Sequence, residues 1–392
     1  MKIVVYCQHV LGLGHFFRSM ALCRALTGHE VIFLAGGARV EASVPDHVRM
    51  VALPGLMMDS AFQRMYATEA GHSVAEVKAI RTQLLQEMMA EARPDVLIIE
   101  LYPFGRKAFR FELDPVLDSI RNGSLPPCRV ICSLRDILVE KADADAYEHR
   151  VVGTLNRGFD ALWVHADPRV VRLEETFSRV SAIAVPIVYT GFIAPKPPPG
   201  ARERIRGALG LLADEPLVVA SAGGGKVGGP LLRAAAAAFE RMGGGARLEV
   251  FTGPFMPEAD VRALEAMAGG KIRVSAFTPD FLSYLAAADL SVSMAGYNTC
   301  MNVLAAGCQA LMWPFSQNRE QRFRAERLAA FGDIRILADE DLSAHRMADL
   351  MSVRLVRKHR GGGSRAAGID LDGAGASARW LAAEMDGGGA RQ

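Results

Sequence analysis

The chain has 392 residues, of which 50% are hydrophobic and 22% are charged, and its formal net charge is +2. This composition is typical of a folded globular protein, and the length corresponds to about two to three domains. The small net charge and the lack of a DNA- or RNA-binding motif argue against a nucleic-acid binder. No apolar run reaches the roughly 18 residues that a membrane-spanning helix needs. The 6 cysteines are scattered without a C-x-x-C pair, which is typical of small core residues in a reducing compartment.

Strand-like and helix-like runs alternate from the first residues. MKIVVYCQHV predicts a strand, not a signal peptide, because the apolar run leads into Gly-Leu-Gly-His. Further strands are predicted over 30–34, 48–53, 95–100, 129–133, 161–165 and 187–190, with helices over 17–26, 74–92 and 139–157. Alternation of this kind predicts β-α-β units and a parallel sheet that is covered on both faces.

A proline-rich segment, APKPPPG at 194–200, interrupts the alternation, which then restarts. Strands are predicted over 217–221, 248–252, 272–276, 289–293, 310–313 and 334–337, and helices over 229–241, 257–268, 279–287, 298–306, 319–331 and 342–358. We therefore predict an α/β domain over 1–192, a linker over 193–200 and a second α/β domain over 201–358. Residues 359–392 are predicted to form a glycine-rich tail, with a final helix over 376–385 as one interpretation.

Polar residues follow three predicted strands in the first half. Gly12-Leu-Gly14-His15 follows the first strand, but the third glycine of a dinucleotide fingerprint is replaced by Phe17, which disfavours NAD. His15 is either a residue at a helix start or a general base. Glu100 ends the strand over 95–100, and Asp136 lies just beyond the strand over 129–133. Each points toward a ligand crevice or belongs to a structural ion pair.

Two glycine-containing turns stand between strands and helices in the second half. Ser221-Ala-Gly-Gly-Gly225 lets a phosphate or sugar approach the backbone closely, although it lacks the P-loop pattern. Gly296, Asn298 and Thr299 start a helix whose N-terminal amides suit a phosphate. The alternative for this second turn is an ordinary β-α-β connection.

The order of these motifs along the chain is similar to that in a known enzyme family. The turn with His15, the glycine loop, the segment Ala-Gly-Tyr-Asn-Thr299, and then Pro-Phe315 and Arg-Glu-Gln321 follow one another along the chain. This pattern resembles GT-B glycosyltransferases over residues 1–340, specifically the group of the peptidoglycan lipid-intermediate N-acetylglucosaminyltransferase and an uncharacterised branch of predicted glycosyltransferases. The resemblance implies an α/β fold of two Rossmann-like parallel-sheet domains that face a cleft.

The activity implied by the resemblance is sugar transfer. The enzyme would be an inverting, metal-independent hexosyltransferase that uses no cofactor and moves a sugar from a nucleotide-sugar, expected to be a UDP-sugar, to an acceptor hydroxyl. The second domain would bind the donor and the first the acceptor, which is a glycan, a lipid-linked molecule or a small molecule. The expected location is the cytoplasm, with peripheral contact at the inner face of the membrane left open.

The resemblance also implies roles for individual residues. Gly296 and Thr299 would hold the diphosphate with the 221–225 loop, Phe277 and Thr278 would lie beside the base, and Gln321 with Glu320 would bind sugar hydroxyls. Asn302 stands where relatives have a glutamate for the ribose. The implied donor-binding residues are Gly14, Ser221, Gly223, Gly224, Gly225, Phe277, Thr278, Gly296, Asn298, Thr299, Asn302, Glu320 and Gln321. The general base would be His15, with Glu100 or Asp136 as substitutes.

Two other functions remain open at this point. The stretch Gly-Leu-Gly-His-Phe-Phe-Arg18 also resembles a loop of nucleotide-sugar hydrolases, in which His15 would activate water. A non-catalytic nucleotide-sugar-binding protein is the third alternative. An apolar patch of Met57, Met58, Phe62, Met65 and Tyr66 indicates either core packing or contact with a lipid-linked acceptor.

Overall fold

The computed structural model describes residues 1–9, 14–37, 40, 42–58, 64–68, 71–139, 141–315, 319–359 and 368–387. The chain forms two compact units. The first unit comprises Met1–Ile193 together with Asp370–Gln392, and the second comprises Ala194–Ile369. The two parallel-sheet α/β units confirm the predicted fold class. Gly12, Leu13 and Phe62 lie outside the described residues.

The first unit is built on a parallel sheet. Its strands are β1 (Lys2–Gln8), β2 (Glu30–Gly36), β3 (Val48–Ala52), β4 (Leu56–Met58), β5 (Met65–Ala67), β6 (Val96–Glu100), β7 (Arg129–Arg135), β8 (Ala161–His165) and β9 (Ile187–Tyr189). Its helices are α1 (Gly14–Ala25), α2 (Val74–Ala92), α3 (Arg110–Asn122), α4 (Ala144–Gly158) and α12 (Gly373–Gly387), the last numbered in chain order. The sheet order is β3-β2-β1-β6-β7-β8-β9, and β4 pairs with β5 in a separate antiparallel hairpin.

The order of strands reverses between β1 and β6. From β1 the chain moves outward through β2 and β3, and it then returns to place β6 on the other side of β1. In open α/β sheets such a switch point leaves a crevice outside the carboxyl ends of the two strands. His15 follows β1 and Glu100 ends β6, so the topology predicts that these side chains meet.

The second unit repeats this arrangement. Its strands are β10 (Leu217–Ser221), β11 (Arg247–Phe251), β12 (Ile272–Ser275), β13 (Leu290–Met294), β14 (Ala310–Trp313) and β15 (Ile334–Ile336). Its helices are α5 (Ala201–Ala208), α6 (Gly229–Met242), α7 (Glu258–Glu265), α8 (Phe281–Ala287), α9 (Tyr297–Ala306), α10 (Arg319–Leu328) and α11 (Ala344–His359). The parallel order is β12-β11-β10-β13-β14-β15, so the switch point lies between β10 and β13.

A helix that the sequence analysis did not predict follows β6. This helix, α3, contains Pro115, which lacks the N–H that would bond the carbonyl of Phe111 one turn earlier. The hydroxyl of Thr82, on α2, donates to the Lys78 carbonyl at 2.9 Å and lies 3.4 Å from the Phe111 carbonyl. This approach of α2 to α3 is a tertiary contact that the local sequence does not indicate.

The C-terminal segment belongs to the first unit, whereas the sequence analysis treated residues 359–392 as a tail. Ile193 and Asp372 form a bridge, and the amide of Asp370 donates to the carboxylate of Asp167 at 2.9 Å. Leu381 on α12 is fully buried in the core with Trp163, whose ring packs against Trp380 at a centroid distance of 5.6 Å. The helix therefore closes one side of the first unit.

No helix within the described ranges combines the length and the apolarity needed to cross a bilayer.

Candidate functional site

The first unit brings His15 and Glu100 together at its switch point. Nδ1 of His15 lies 2.6 Å from Oε1 of Glu100, although the two residues are 85 positions apart in the chain. The Glu100 side chain is 1% exposed and that of His15 is 21% exposed. A carboxylate only accepts hydrogen bonds, so Nδ1 of His15 carries the proton and donates it. Nε2 is then the unprotonated nitrogen, and it can accept a proton from a substrate.

Arg18 completes this cluster from the second turn of α1. Its guanidinium donates to the same Glu100 oxygen and lies 3.1 Å from Nδ1 of His15. Burial by itself would raise the pKa of Glu100, but His15 and then Arg18 outweigh it and hold that pKa well below its usual range. Glu100 is therefore a permanent anion. It orients His15 and does not itself have free surface to offer a substrate.

The histidine stays neutral at physiological pH. Burial lowers the pKa of His15 to about 4, and the opposing effect of Glu100 does not restore it because Arg106 and Arg18 add positive charge nearby. A neutral imidazole with one nitrogen held by a carboxylate is the arrangement that general-base catalysis requires.

Arg106 is a residue of this cluster that the sequence analysis missed. It adopts a left-handed backbone with φ 58°, a conformation that non-glycine residues rarely adopt. Its Nε and Nη2 atoms are buried and have no hydrogen-bond partner among the described residues. Buried donors of this kind are uncommon in folded proteins and suit a polar substrate. The run Leu-Tyr-Pro-Phe-Gly before it signals only a turn, so the sequence offered no marker for it.

Two further predicted residues of the first unit have different surroundings. Asp136 follows β7 and is 1% exposed, so its carboxylate presents almost no surface to a substrate. Gly14 is the first residue of α1 and lies beside His15 in the chain, which places its backbone at the same end of the sheet.

In the second unit, the predicted glycine loop follows β10 at the switch point. The hydroxyl of Ser221 accepts a bond from the amide of Gly223 at 3.2 Å, which tightens the start of the loop. Gly223 and Gly225 have φ values of +62° and +93°, conformations that favour glycine. The amide of Phe255 donates to the carbonyl of Gly224, and the Phe255 side chain is 52% exposed beside the loop. Phe255 was not predicted from the sequence.

The other side of this switch point carries the N-terminus of α9. Gly296 is the N-cap residue and has no side chain to cap the helix, so no cap side chain screens the positive end of the helix dipole. A methyl group placed on Gly223 would lie 3.9 Å from Oγ1 of Thr299, and one placed on Gly296 would lie 4.0 Å from the same atom. The glycine loop and the first turn of α9, which includes Asn298, therefore converge on the Thr299 hydroxyl.

The remaining predicted donor residues lie on neighbouring elements of the second unit. Phe277, after β12, is 54% exposed, and the hydroxyl of Thr278 accepts a bond from the Asp280 amide. Asn302 is half-buried on α9. The side-chain oxygen of Gln321 accepts a bond from the Phe315 amide at 3.1 Å.

Glu320 precedes Gln321 in the first turn of α10. The side-chain amide of Gln321 still offers a second oxygen lone pair and two N–H donors. No group of three or more potential metal-ligating side chains occurs among the described residues.

Replacing Gly225 with alanine is expected to distort the loop and weaken nucleotide binding about tenfold or more. At φ +93°, a side chain is strained, and the new methyl group would lie 2.4 Å from the Thr252 carbonyl oxygen. The adjacent Gly224→Ala variant is the matched control, because its methyl group meets only the Phe255 ring at 3.8 Å. Calorimetric titration of both variants with nucleoside diphosphates compares them. Equal affinities would contradict the proposed role of the loop.

Comparisons with known proteins concern the fold and the second unit. Residues 247–357 match the model of the Glycosyltransferase family 28 C-terminal domain. The calicheamicin glycosyltransferase CalG4 has 15% identity and a TM-score of 0.59, with 99% of this chain and 98% of that chain covered.

Acinetobacter baumannii MurG is similar with 17% identity and a TM-score of 0.54, over 97% of this chain and 95% of that one. Phytolacca americana UGT2, complexed with UDP-2fluoro-glucose and pterostilbene, has 13% identity and a TM-score of 0.59, and both chains are fully covered at 100%. No curated protein matches the chain in sequence. The chain has the GT-B glycosyltransferase fold, and residues 247–357 of its second unit match the glycosyltransferase family 28 C-terminal domain.

Proposed function

We propose that the protein is an inverting, metal-independent glycosyltransferase that moves a sugar from a UDP-sugar to an acceptor hydroxyl. The observation that carries the proposal is the 2.6 Å contact between His15 and Glu100 at the switch point of the first unit. It supplies a general base in a chain whose second unit carries a glycosyltransferase domain. The acceptor binds to the first unit and the donor to the second.

The chemistry follows from the tautomer of His15. Its Nδ1–H is held by Glu100, so Nε2 takes the proton of the acceptor hydroxyl as the oxygen attacks the anomeric carbon. A new carbon–oxygen bond forms while the bond to the nucleoside diphosphate breaks, and the diphosphate leaves with the bonding electron pair. Attack from the side opposite the leaving group inverts the anomeric centre.

The leaving diphosphate requires positive potential. The N-terminus of α9 at Gly296, the Thr299 hydroxyl and the backbone amide of Gly224 supply it without a metal ion, since the amides of Gly223 and Gly225 donate within the loop. The exposed ring of Phe277 stacks on the base, Asn302 binds a ribose hydroxyl, and the amide nitrogen of Gln321 donates to a sugar hydroxyl. Arg106 offers its buried donors to the acceptor.

Donor identity is tested first, with a thermal-shift panel of nucleotide sugars. A selective donor at about 100 times its Kd is expected to raise the stability by about 2.7 kcal/mol, because it binds only the folded state. The Thr299→Ala variant should lose most of this shift while melting normally without ligand. A panel without any selective ligand would contradict donor binding.

Transfer is then followed by NMR with the selected donor, with and without candidate acceptors and with EDTA. Inversion of the anomeric configuration and full activity in EDTA are the expected results. Retention of configuration or dependence on added metal would overturn those parts of the proposal. Release of free sugar from donor alone at the transfer rate would assign the protein as a hydrolase, and tight donor binding without turnover would make it a binding protein.

A further inference from the structure

A polar cavity lies in the first unit, apart from the cluster of His15, Glu100, Arg18 and Arg106. It occupies the groove between the N-terminal half of α3 and the second half of α4, beside the turn that follows β6, and its volume is about 290 Å³. The charged groups that line it, together with the phenol of Tyr102, are Lys107, Arg110, Asp114, Arg150 and Arg157. None of these residues contributes to the predicted donor or catalytic site.

The charge of this cavity is strongly unbalanced. Its lining contains four cations but only one carboxylate, that of Asp114. Asp114 is already engaged, because it accepts a bond from the Tyr102 hydroxyl and lies 3.5 Å from Arg110. One cation is thereby compensated, and the lining retains an excess of positive charge.

The other three cations have little compensation. Arg157 lies 3.7 Å from Asp118, but both side chains are about 60% exposed, and such pairs are worth little. Arg150 packs over the Tyr147 ring at 5.4 Å, and neither it nor Lys107 has a carboxylate partner among the described residues. Like charges gathered in one cavity repel each other, so an anion in the cavity would relieve this repulsion.

We infer that this cavity binds a phosphate-bearing anion. Guanidinium groups present pairs of N–H donors that match phosphate oxygens, and the Lys107 ammonium adds a point charge. The volume is at the lower end of the range for small-molecule pockets, which suits a phosphate or diphosphate group and not a large ligand. This inference does not depend on the proposed sugar transfer.

The test titrates the full chain with pyrophosphate and follows amide hydrogen exchange. Peptides that cover 102–114 and 147–158 are expected to gain protection in the wild type. In the Lys107→Gln/Arg150→Gln variant this protection should require at least about tenfold more pyrophosphate, because two charge-assisted contacts are lost. Within the described ranges neither side chain has an ion pair and only the contact of Arg150 with the Tyr147 ring is lost, so the variant should stay folded and melt only slightly below the wild type.

A matched control removes two positive charges elsewhere on the same unit. Arg49 and Arg64 are exposed and lie outside the cavity, so Arg49→Gln/Arg64→Gln should bind pyrophosphate as the wild type does. Absence of protection at these peptides in the wild type, or equal weakening in both double variants, would overturn the inference. Protection confined to peptides of the second unit would also overturn it, because only the proposed donor site would then be occupied.

The phosphate group could belong to a lipid headgroup or to a free phosphate compound, and a vesicle-binding experiment distinguishes the two. Sedimentation with vesicles of phosphatidylcholine alone is compared with sedimentation when phosphatidic acid is included. Binding to phosphatidic acid that is lost in Lys107→Gln/Arg150→Gln would support a lipid headgroup as the occupant. Pyrophosphate protection without vesicle binding would support a free phosphate compound.

Discussion

Replacing His15 with alanine is expected to slow sugar transfer by about 10²-fold to 10⁴-fold while donor affinity stays unchanged. The imidazole is the group whose Nε2 can take the acceptor proton, since its Nδ1–H is held by Glu100. Single-turnover kinetics and donor titration measure the two quantities separately. His149→Ala is the matched control, because that histidine is exposed and, among the residues the structure describes, pairs only with Asp145 one turn earlier on α4. Unchanged turnover in His15→Ala would exclude it as the base.

Glu100→Gln tests the partner of the base. The amide can no longer hold Nδ1–H as a carboxylate does, so turnover should fall, although by less than in His15→Ala. Glu100 raises the pKa of His15, and its removal should therefore lower that pKa further. In the wild type kcat/KM should decline only as the pH falls toward about 4, where His15 becomes protonated. In Glu100→Gln this decline should move to lower pH. An upward shift would contradict the assignment.

The same pKa affects stability. The folded value of about 4 lies below the ordinary value of 6.5, so the unfolded chain binds this proton more readily between these two pH values. The contribution of neutral, buried His15 to the free energy of unfolding is therefore fully present above pH 6.5, and it is lost as the pH falls toward 4. His165, buried between Ser133 and Thr190 with its pKa lowered by burial to about 3, acts in the same direction. Because stability falls below about pH 6, each kcat/KM value measured there needs a parallel measurement of the folded fraction at the same pH.

Deleting residues 370–392 is expected to unfold the first unit, and Leu381→Ala alone should lower its stability by about 2–5 kcal/mol. Leu381 is fully buried in the core that lies under the sheet, and Trp380 packs against Trp163. The deletion would expose that core and remove the bridge between Ile193 and Asp372. Because native proteins are stable by only about 5–15 kcal/mol, a loss of about 2–5 kcal/mol from one side chain is a substantial fraction of that stability.

Hydrogen exchange of β1 and β8 measures this effect in the first unit alone, which matters because a protein with two units need not unfold in one step. Glu384→Gln is the control on the same helix. Its carboxylate is 41% exposed and pairs with Arg129 on the surface, so the change should cost no more than about 1 kcal/mol. Wild-type protection of β1 and β8 in the deletion variant would show that α12 is dispensable for the first unit.

The sequence by itself determined the layers of this protein. Short apolar runs can be buried on both faces of a parallel sheet, so β8, β10 and β14 have the predicted bounds and most other strands differ by one or two residues. The helix over 74–92 was also predicted in full from its amphipathic pattern, and the capping box of Ser73 and Glu76 that starts it depends only on neighbours in the chain. Local patterns of this kind do not need tertiary information.

Only the tertiary structure decided which residues share a site. The contact of His15 with Glu100 depends on the placement of β6 beside β1, and the approach of the glycine loop to Thr299 depends on the placement of β13 beside β10. The spacing of the residues along the chain does not predict that β6 pairs with β1 or that β13 pairs with β10. The same holds for Arg106, for the cavity between α3 and α4, and for α12, whose residues reach the first core only because the chain returns to it after the second unit. Long-range packing selects these contacts, because hydrophobic burial rewards the sheet order as a whole and not any single segment.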